Sequence, residues 1–238
     1  MEWVRALVAA TAVLLATSAC SEDSESQNWA AQSPEQQEAL IMNAMMNDPN
    51  NPYAPVEIRM NERMRAAVGV NASESWVRKM IEHHRGGIEM TKIFLAQGGD
   101  AKVLQRARKD LHEQSEEIPQ LERLRQGLGA SWSGGADDFV RAERQMHDRM
   151  MAASEKDAAG TWMRKMIEHH RGAVDLSNIL LARGGEPKVF EKARLTAQKH
   201  QQKIEELQGM LDAKQAATNP TGTNPADPTS KLTRPAAR

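Results

Sequence analysis

The chain has 238 residues, 40% of them hydrophobic, and this length allows one substantial core or two small modules that share one. Its 31 basic and 32 acidic residues nearly cancel and are interleaved along the chain, which excludes the basic patch of a nucleic-acid-binding protein. Aromatic residues are scarce, and Ala, Leu, Met, Glu, Lys, Arg and Gln dominate from Ser33 to Lys214, which favours helices.

The first segment, residues 1–19, has the features of an export signal. An arginine near the start precedes an apolar run from Ala6 to Ala16 that is too short to span a bilayer. The stretch ATSAC then resembles the lipobox of bacterial lipoproteins, with Thr17 where that pattern usually has Leu. The resemblance implies lipidation of Cys20, and ordinary signal cleavage is the alternative. We therefore expect an extracytoplasmic protein of the cell envelope, anchored in the periplasm or on the outer face of the plasma membrane.

The ends of the mature chain are predicted to be unstructured. Residues 20–35 are polar and predict a flexible tether, and residues 214–238 are rich in Pro, Thr and Asn and predict a disordered tail. No cysteine follows Cys20, so neither disulfides nor thiolate metal sites can hold the fold together. Any soft sulfur ligand must therefore be methionine.

Between these ends the sequence contains an internal repeat with an offset of 86 residues. The stretch WVRKMIEHHRGGIEM beginning at Trp76 matches WMRKMIEHHRGAVDL beginning at Trp162, and the match continues through LAQGGDAKV and LARGGEPKV. We predict a first repeat at 36–127, a linker loop at 128–135 and a second repeat at 136–213. One module has been duplicated.

Each repeat is predicted to form a helix, a turn and a second helix. Asn71 and Asp157 are the expected N-caps of the first helices, and Gly98 and Gly184 are expected to end them in a left-handed conformation. Both second helices carry an apolar stripe at helical spacing: Val103, Ala107, Leu111, Ile118 and Leu121, then Val189, Ala193, Ala197, Ile204 and Leu207. Two such hairpins predict an all-α four-helix bundle, with a shorter helix before each hairpin.

Two pairs of adjacent histidines occupy equivalent positions on the inward side of the first helices. The pairs are His83 with His84 and His169 with His170. A buried ring nitrogen without a partner costs about 1–3 kcal/mol, and a metal ion would supply that partner. Alternatively, one ring of each pair bonds a carbonyl while the other reaches water. On the last helix His200 either completes a site or bonds across the core, whereas His112 is expected at the surface.

The methionines suggest which metal such a site would bind. The chain has 14 of them, and thioether with imidazole, without thiolate or converging carboxylates, is the donor set expected for Cu(I) or Ag(I). Zinc would leave the methionines unexplained, and a di-iron site loses support because no histidine has an acidic residue three positions before it. Gly87 and Ala173 are expected to leave room beside the ion. The further candidate ligands are His147, Met60, Met64, Met80, Met146, Met150, Met163 and Met166. The methionines interpreted as core filling are Met42, Met45, Met46 and Met210.

The two stretches MIEHHRGGIEM and MIEHHRGAVDL resemble the hallmark of the bacterial domain of unknown function 305 family, whose members resemble ferritin-like helical bundles. The similarity covers Met60 to Leu211 and is weaker near Met60, because Asn61 stands where the second repeat has His147. Exported members include copper-binding proteins implicated in copper tolerance. The resemblance therefore implies copper binding through His83, His84, His169, His170, Met80 and Met166.

From these patterns we expect an exported, lipid-anchored bundle that binds copper, as Cu(I), or another soft cation such as Ag(I), for sequestration or tolerance. Coordination is expected instead of catalysis, because the sequence shows no convincing general base or nucleophile. The expected partners are the metal ion and, through Cys20, a membrane. Two alternatives stay open: a metal-dependent oxidoreductase that uses the same residues, and a structural or interaction bundle without metal.

Overall fold

The computed structural model describes residues 33–128 and 138–218, and within these ranges the chain forms seven helices and no strand. The helices are α1 (Pro34–Met46), α2 (Ala54–Ala66), α3 (Ala72–Gln97), α4 (Ala101–Gln126), α5 (Val140–Ala152), α6 (Ala158–Arg183) and α7 (Pro187–Thr218). None of these seven is both long enough and apolar enough to cross a bilayer. The predicted export signal, Cys20 and most of the predicted linker and tail lie outside the described residues.

The helices after α1 form two equivalent sets of three. Hairpin α3–α4 belongs to the first repeat and hairpin α6–α7 to the second, and the two hairpins meet where α3 packs against α6. The shorter helices α2 and α5 pack on α3 and α6 and also contact each other. The predicted all-α bundle, built from two hairpins that each follow a shorter helix, is confirmed.

The ends of α3 and α6 follow from local chemistry. The side chains of Asn71 and Asp157 accept hydrogen bonds from the backbone N–H groups of Glu74 and Gly160, as N-caps do. Gly98 and Gly184 end the helices with φ values of 76° and 79°, which favour glycine. Both φ values lie in the left-handed region, as predicted, and the ψ values, −170° and 170°, are extended.

Helix α1 lies outside the core, although its methionines suggest core filling. It begins with a capping box between Ser33 and Gln36, inside the segment predicted as a tether. It buries no residue, and Met42 is 40% exposed. The core-filling interpretation of Met42, Met45 and Met46 is therefore wrong, whereas Met210 does pack against the core. At the other end α7 extends to Thr218, into the predicted tail.

Each repeat has a buried tryptophan whose indole bonds to the other repeat. The indole of Trp76 donates to Ser177 Oγ at 3.3 Å, and the equivalent indole of Trp162 donates to Thr91 Oγ1 at 3.4 Å. Ser177 and Thr91 are themselves equivalent by the 86-residue offset. The two halves are thus related by an approximate twofold axis between α3 and α6.

Two buried ion pairs obey the same relation. Lys79 Nζ lies 2.7 Å from a carboxylate oxygen of Glu143, and Lys165 Nζ lies 2.8 Å from one of Glu57, with all four side chains at most 1% exposed. Both lysines also donate to a backbone carbonyl at the end of a short helix, at Met64 O and Met150 O. Each short helix is therefore linked by charge to the first long helix of the other repeat.

Glycine allows the short helices to approach the long ones closely. A Cβ atom at Gly86 would overlap the thioether of Met60 and lie 2.8 Å from its Cβ. The equivalent Gly172 meets Met146 in the same way. The absent side chains therefore make room for two methionines that are fully buried.

The Lys165–Glu57 pair gives a stability prediction. Burial raises the pKa of Glu57 and lowers that of Lys165, so each charge depends on the other. We expect Lys165→Met to lower the free energy of unfolding by about 3–5 kcal/mol, because it leaves a buried carboxylate without its cation. The double variant Lys165→Met/Glu57→Met should lose less than this single variant. Urea denaturation measures both, with the exposed Arg194→Met as a control that should stay near wild type. A double variant less stable than Lys165→Met would contradict the prediction.

The glycine contacts give a second stability prediction. We expect Gly86→Ala to destabilise the protein by about 1–3 kcal/mol, because the added methyl group forces Met60 and α2 away. Gly209→Ala is the matched control, since no atom lies within 4 Å of its added Cβ in the middle of α7. This control should gain about 0.5–1 kcal/mol from helix propensity. Thermal melts followed by circular dichroism compare the two variants, and equal melting temperatures would disprove the prediction.

Candidate metal centre

Five histidine rings meet in the interior, where α3 and α6 cross. His83 and His169, which are equivalent in the two repeats, stack with ring centroids 3.7 Å apart. His200 of α7 lies between the other two, with its centroid 5.6 Å from His84 and 4.8 Å from His170. All five side chains are at most 1% exposed. The structure thus brings together the four paired histidines and His200, and their role as metal ligands stays a prediction.

Helical geometry explains why the histidines point inward. On α3 the buried side contains Trp76, Met80, His84 and Thr91, spaced by three or four residues or multiples of them. The neighbouring Arg85 points outward, where its guanidinium meets surface carboxylates. Because α6 repeats this sequence and packs against α3, the approximate twofold axis brings the two histidine pairs together.

The inward side of α4 is more polar than its apolar residues suggest. Of the predicted stripe, Leu111 and Ile118 are only partly buried, whereas Asp110, Gln114 and Glu117 are buried between Ala107 and Leu121. The predicted position of the stripe is therefore wrong in the middle of the helix. The physical reason is that the histidine rings accept polar partners, so this part of α4 can bury hydrogen-bonding groups.

A carboxylate belongs to the histidine cluster. Glu117 Oε2 lies 2.7 Å from His84 Nε2, and one ligand atom each of His84, Glu117 and His200 lies within 4.8 Å of the other two. Burial alone would raise the pKa of Glu117, but the hydrogen bond and charge of His84 outweigh burial, and the pKa is lowered. The expectation that no carboxylate converges on the histidines is therefore wrong. Two imidazoles and one carboxylate are a donor set that transition metals accept.

A second carboxylate, that of Asp110, lies deeper, and its negative charge is already balanced by a neighbouring cation. It accepts hydrogen bonds from Lys203 Nζ at 2.8 Å and from Gln114 Nε2 at 2.7 Å, and its Oδ1 is 3.5 Å from His170 Nε2. Burial alone would raise the pKa of Asp110, but the positive charges of His170, Lys203 and Arg106 hold it well below its usual value. Asp110 is therefore ionised in the interior.

The histidine rings lack a full set of hydrogen-bond partners. His83 Nε2 lies 2.9 Å from the backbone oxygen of His169, and the Nδ1 atoms of His170 and His200 are 3.0 Å apart. Within the described part of the chain, Nδ1 of His83, His84 and His169 and Nε2 of His170 and His200 have no hydrogen-bond partner. Buried ring nitrogens in this state are costly, and a bound cation would accept their lone pairs.

The predicted thioether ligands are all buried. These methionines are Met60, Met64, Met80, Met146, Met150, Met163 and Met166. Met60 and Met146 pack against Gly86 and Gly172, and the role of all seven methionines as ligands stays a prediction. His147 is partly buried on α5 and takes no part in the ring contacts among the five central histidines. His112 is exposed, as predicted.

The space beside Gly87 is occupied by protein atoms. A Cβ atom there would overlap Gln114 Oε1 and lie 2.5 Å from His169 Nε2. Gly87 therefore lets these two side chains approach α3, and the room that the sequence suggests for an ion at this point is filled by an amide and an imidazole. The equivalent Ala173 is fully buried.

Comparison with known proteins identifies a family and nothing narrower. A family model described as "Domain of unknown function (DUF305)" matches residues 7–125 and 140–236, which is one match for each repeat. No curated protein and no solved structure matches the chain.

The buried histidines predict a stability that depends on pH. Burial first, and neighbouring charged rings second, lower the pKa values of His83 and His169 well below 6.5, and burial has the same effect on His200. Between the folded and unfolded pKa values the unfolded chain binds more protons, so stability is full above about pH 6.5 and falls with pH below it. Each such histidine contributes about 1.4 kcal/mol per pH unit to this slope.

Urea denaturation between pH 7.5 and 5, with a chelator present, measures the slope. His200→Gln should reduce this slope by about the contribution of one histidine. The control His112→Gln, at an exposed position, should leave the slope unchanged. An unfolding free energy that is the same at pH 7 and pH 5 would contradict the prediction.

Proposed function

The chain belongs to the domain of unknown function 305 (DUF305) family, and we propose that it binds a copper ion at the buried histidine cluster of its bundle. The observation that carries the proposal is the grouping of His84, Glu117 and His200, whose ligand atoms lie within 4.8 Å of one another. These residues come from three helices and both repeats, so the folded bundle preorganises the site.

The unpartnered ring nitrogens support a cation at this place. Five ring nitrogens of the cluster have no hydrogen-bond partner among the described residues, and each would cost about 1–3 kcal/mol if nothing bound it. His84 Nδ1 and His200 Nε2, two of the five, belong to the proposed ligands. A structural bundle without metal gives no account of this cost. Metal binding therefore explains the cluster better than that alternative.

The donor types favour copper among the common metals. Imidazole binds copper, zinc, iron and nickel, and for a given set of nitrogen and oxygen donors affinity is highest for Cu(II). The resemblance to exported copper-binding members of the family points to the same metal. Glu117 suits Cu(II), whereas Met80 and Met166, one turn before His84 and His170, suit Cu(I). Both oxidation states therefore belong in the binding test.

The closed environment favours sequestration over catalysis. His84 and His200 are at most 1% exposed, and Glu117 is 5% exposed. An ion held by these buried side chains would be out of reach of a substrate in solution, so the site suits retention of the ion. We therefore place the metal-dependent oxidoreductase second. The proposal includes export and lipidation at Cys20, which would hold the copper site outside the cytoplasm, at a membrane.

The proposal predicts selective loss of binding on ligand removal. We expect the variant His84→Ala/His200→Ala to bind copper at least about 100-fold more weakly than wild type, because two of three donors are gone. Competition titrations with Cu(I) under anaerobic reducing conditions, and with Cu(II) and Zn(II), measure the affinities. His112→Ala is the matched control, because it removes an exposed histidine of α4 and should bind as wild type does.

Two further measurements separate lost binding from lost folding. Circular dichroism should show the same helix content in the variants, and copper should raise the melting temperature of wild type and of His112→Ala only. Glu117→Gln keeps the side-chain shape and should weaken binding without unfolding the bundle. Equal copper affinity in wild type and in His84→Ala/His200→Ala would refute the proposal.

A further inference from the structure

The approximate twofold axis gives the proposed metal site a counterpart. Rotation exchanges α3 with α6 and α4 with α7, and the 86-residue offset identifies the equivalent positions. The counterparts of His84, Glu117 and His200 are therefore His170, Lys203 and Gln114, in that order. The histidine is retained, the carboxylate is replaced by an ammonium, and the second imidazole is replaced by an amide.

The ammonium of Lys203 is held firmly in the interior. Its Nζ donates to Asp110 Oδ1 at 2.8 Å and lies 3.0 Å from Glu113 Oε2, and the residue is 7% exposed. Asp110 Oδ1 in turn is 3.5 Å from His170 Nε2. The negative charge nearest to His170 is thus paired with a lysine. On the other side of the axis, Glu117 lies directly against His84, and the lysine that pairs with it, Lys199, is an exposed one.

The amide of Gln114 is also engaged. Its Nε2 donates to Asp110 Oδ2 at 2.7 Å, and its Oε1 lies 3.3 Å from His169 Nε2. It therefore supplies no ring nitrogen at the place where the other side has His200. His170 is left as the one imidazole of this counterpart group.

We propose that the Lys203 ammonium acts as a built-in cation at the second of two symmetry-related metal positions, so that the chain binds a single metal ion, at His84, Glu117 and His200. This inference rests on the proposed function and adds its stoichiometry and the residues that set it. The reason is electrostatic: Lys203 already neutralises Asp110, and a metal ion beside His170 would face a like charge in a medium of low dielectric constant. The duplicated fold thus has one position for a metal ion and an equivalent position that the ammonium group of Lys203 occupies.

The test restores the symmetry of the two last helices. The variant Asp110→Thr/Gln114→His/Lys203→Glu gives α4 and α7 the same Thr, His and Glu at positions 110, 114 and 117 and at 196, 200 and 203. Copper bound per chain is measured on the full-length protein by elemental analysis after gel filtration, with competition titrations for affinity. We expect one ion in wild type and two in the symmetric variant.

A second variant covers the case in which the triple substitution unfolds. Lys203→Met keeps the length of the side chain and removes its charge, which leaves Arg106, 3.7 Å from Asp110 Oδ1, as the remaining cationic side chain beside Asp110. We expect this variant to bind a second copper ion and to be stabilised by it more than wild type is. Lys188→Met, which removes an exposed lysine near the start of α7, is the control and should stay at one ion.

The outcomes separate this inference from the proposed function. One ion in wild type, in the folded symmetric variant and in Lys203→Met would overturn the role of Lys203 and leave the copper site standing. Two ions in wild type would also overturn it. A wild-type chain that binds no ion would overturn the proposed function and this inference with it.

Discussion

The whole bundle depends on buried polar side chains whose partners are supplied by the opposite repeat. The indole of Trp76 and the ammonium of Lys79 bond to Ser177 and Glu143, and the equivalent groups of the second repeat return the same contacts. A repeat on its own would lack Ser177 as the acceptor for Trp76 and Glu143 as the counter-ion of Lys79, and it would expose the apolar surface that α3 buries against α6. The two halves therefore fold as one unit, much as the subunits of a twofold dimer do.

The two repeats share the residues that hold the helices together and differ beside the histidines. The tryptophans, buried lysines and adjacent histidines keep their identity in both repeats, whereas Asp110, Gln114 and Glu117 on α4 are opposed by Thr196, His200 and Lys203 on α7. These three differences lie on the buried faces of the two last helices. A duplicated bundle can thus keep one framework and give its two halves different charges at the centre.

Repetition and helical periodicity made most of the fold predictable from the sequence. The caps at Asn71 and Asp157 and the inward direction of the histidines follow from local geometry, because each depends on residues within a turn or two. The exposed position of helix α1 could not be predicted in this way. Its methionine content indicates apolar character but does not indicate which surface, if any, covers the helix. Packing between distant segments decides that question.

The carboxylates of the site could not be recognised from the same reasoning. On α4 the apolar residues Leu111 and Ile118 define a stripe about one residue away from the side that is buried, and Asp110 and Glu117 stand among many acidic residues of a charged helix. The useful signal was the repeat itself: Gln114 is equivalent to the inward His200, and Asp110 and Glu117 lie one turn on either side of it. Polar residues spaced around a buried position on a helix share its side.

The seam between α4 and α7 connects the buried centre with the surface. A groove of about 400 Å³ runs along it, and Glu117 lines this groove while its Oε2 contacts His84 inside. Lys199, whose side chain is 59% exposed, bridges to the other oxygen of Glu117 at 3.2 Å. Exposed ion pairs contribute little to stability, so the contact with Lys199 holds Glu117 only weakly from the groove side. Glu117 therefore connects the surface groove to the buried histidines through its two carboxylate oxygens.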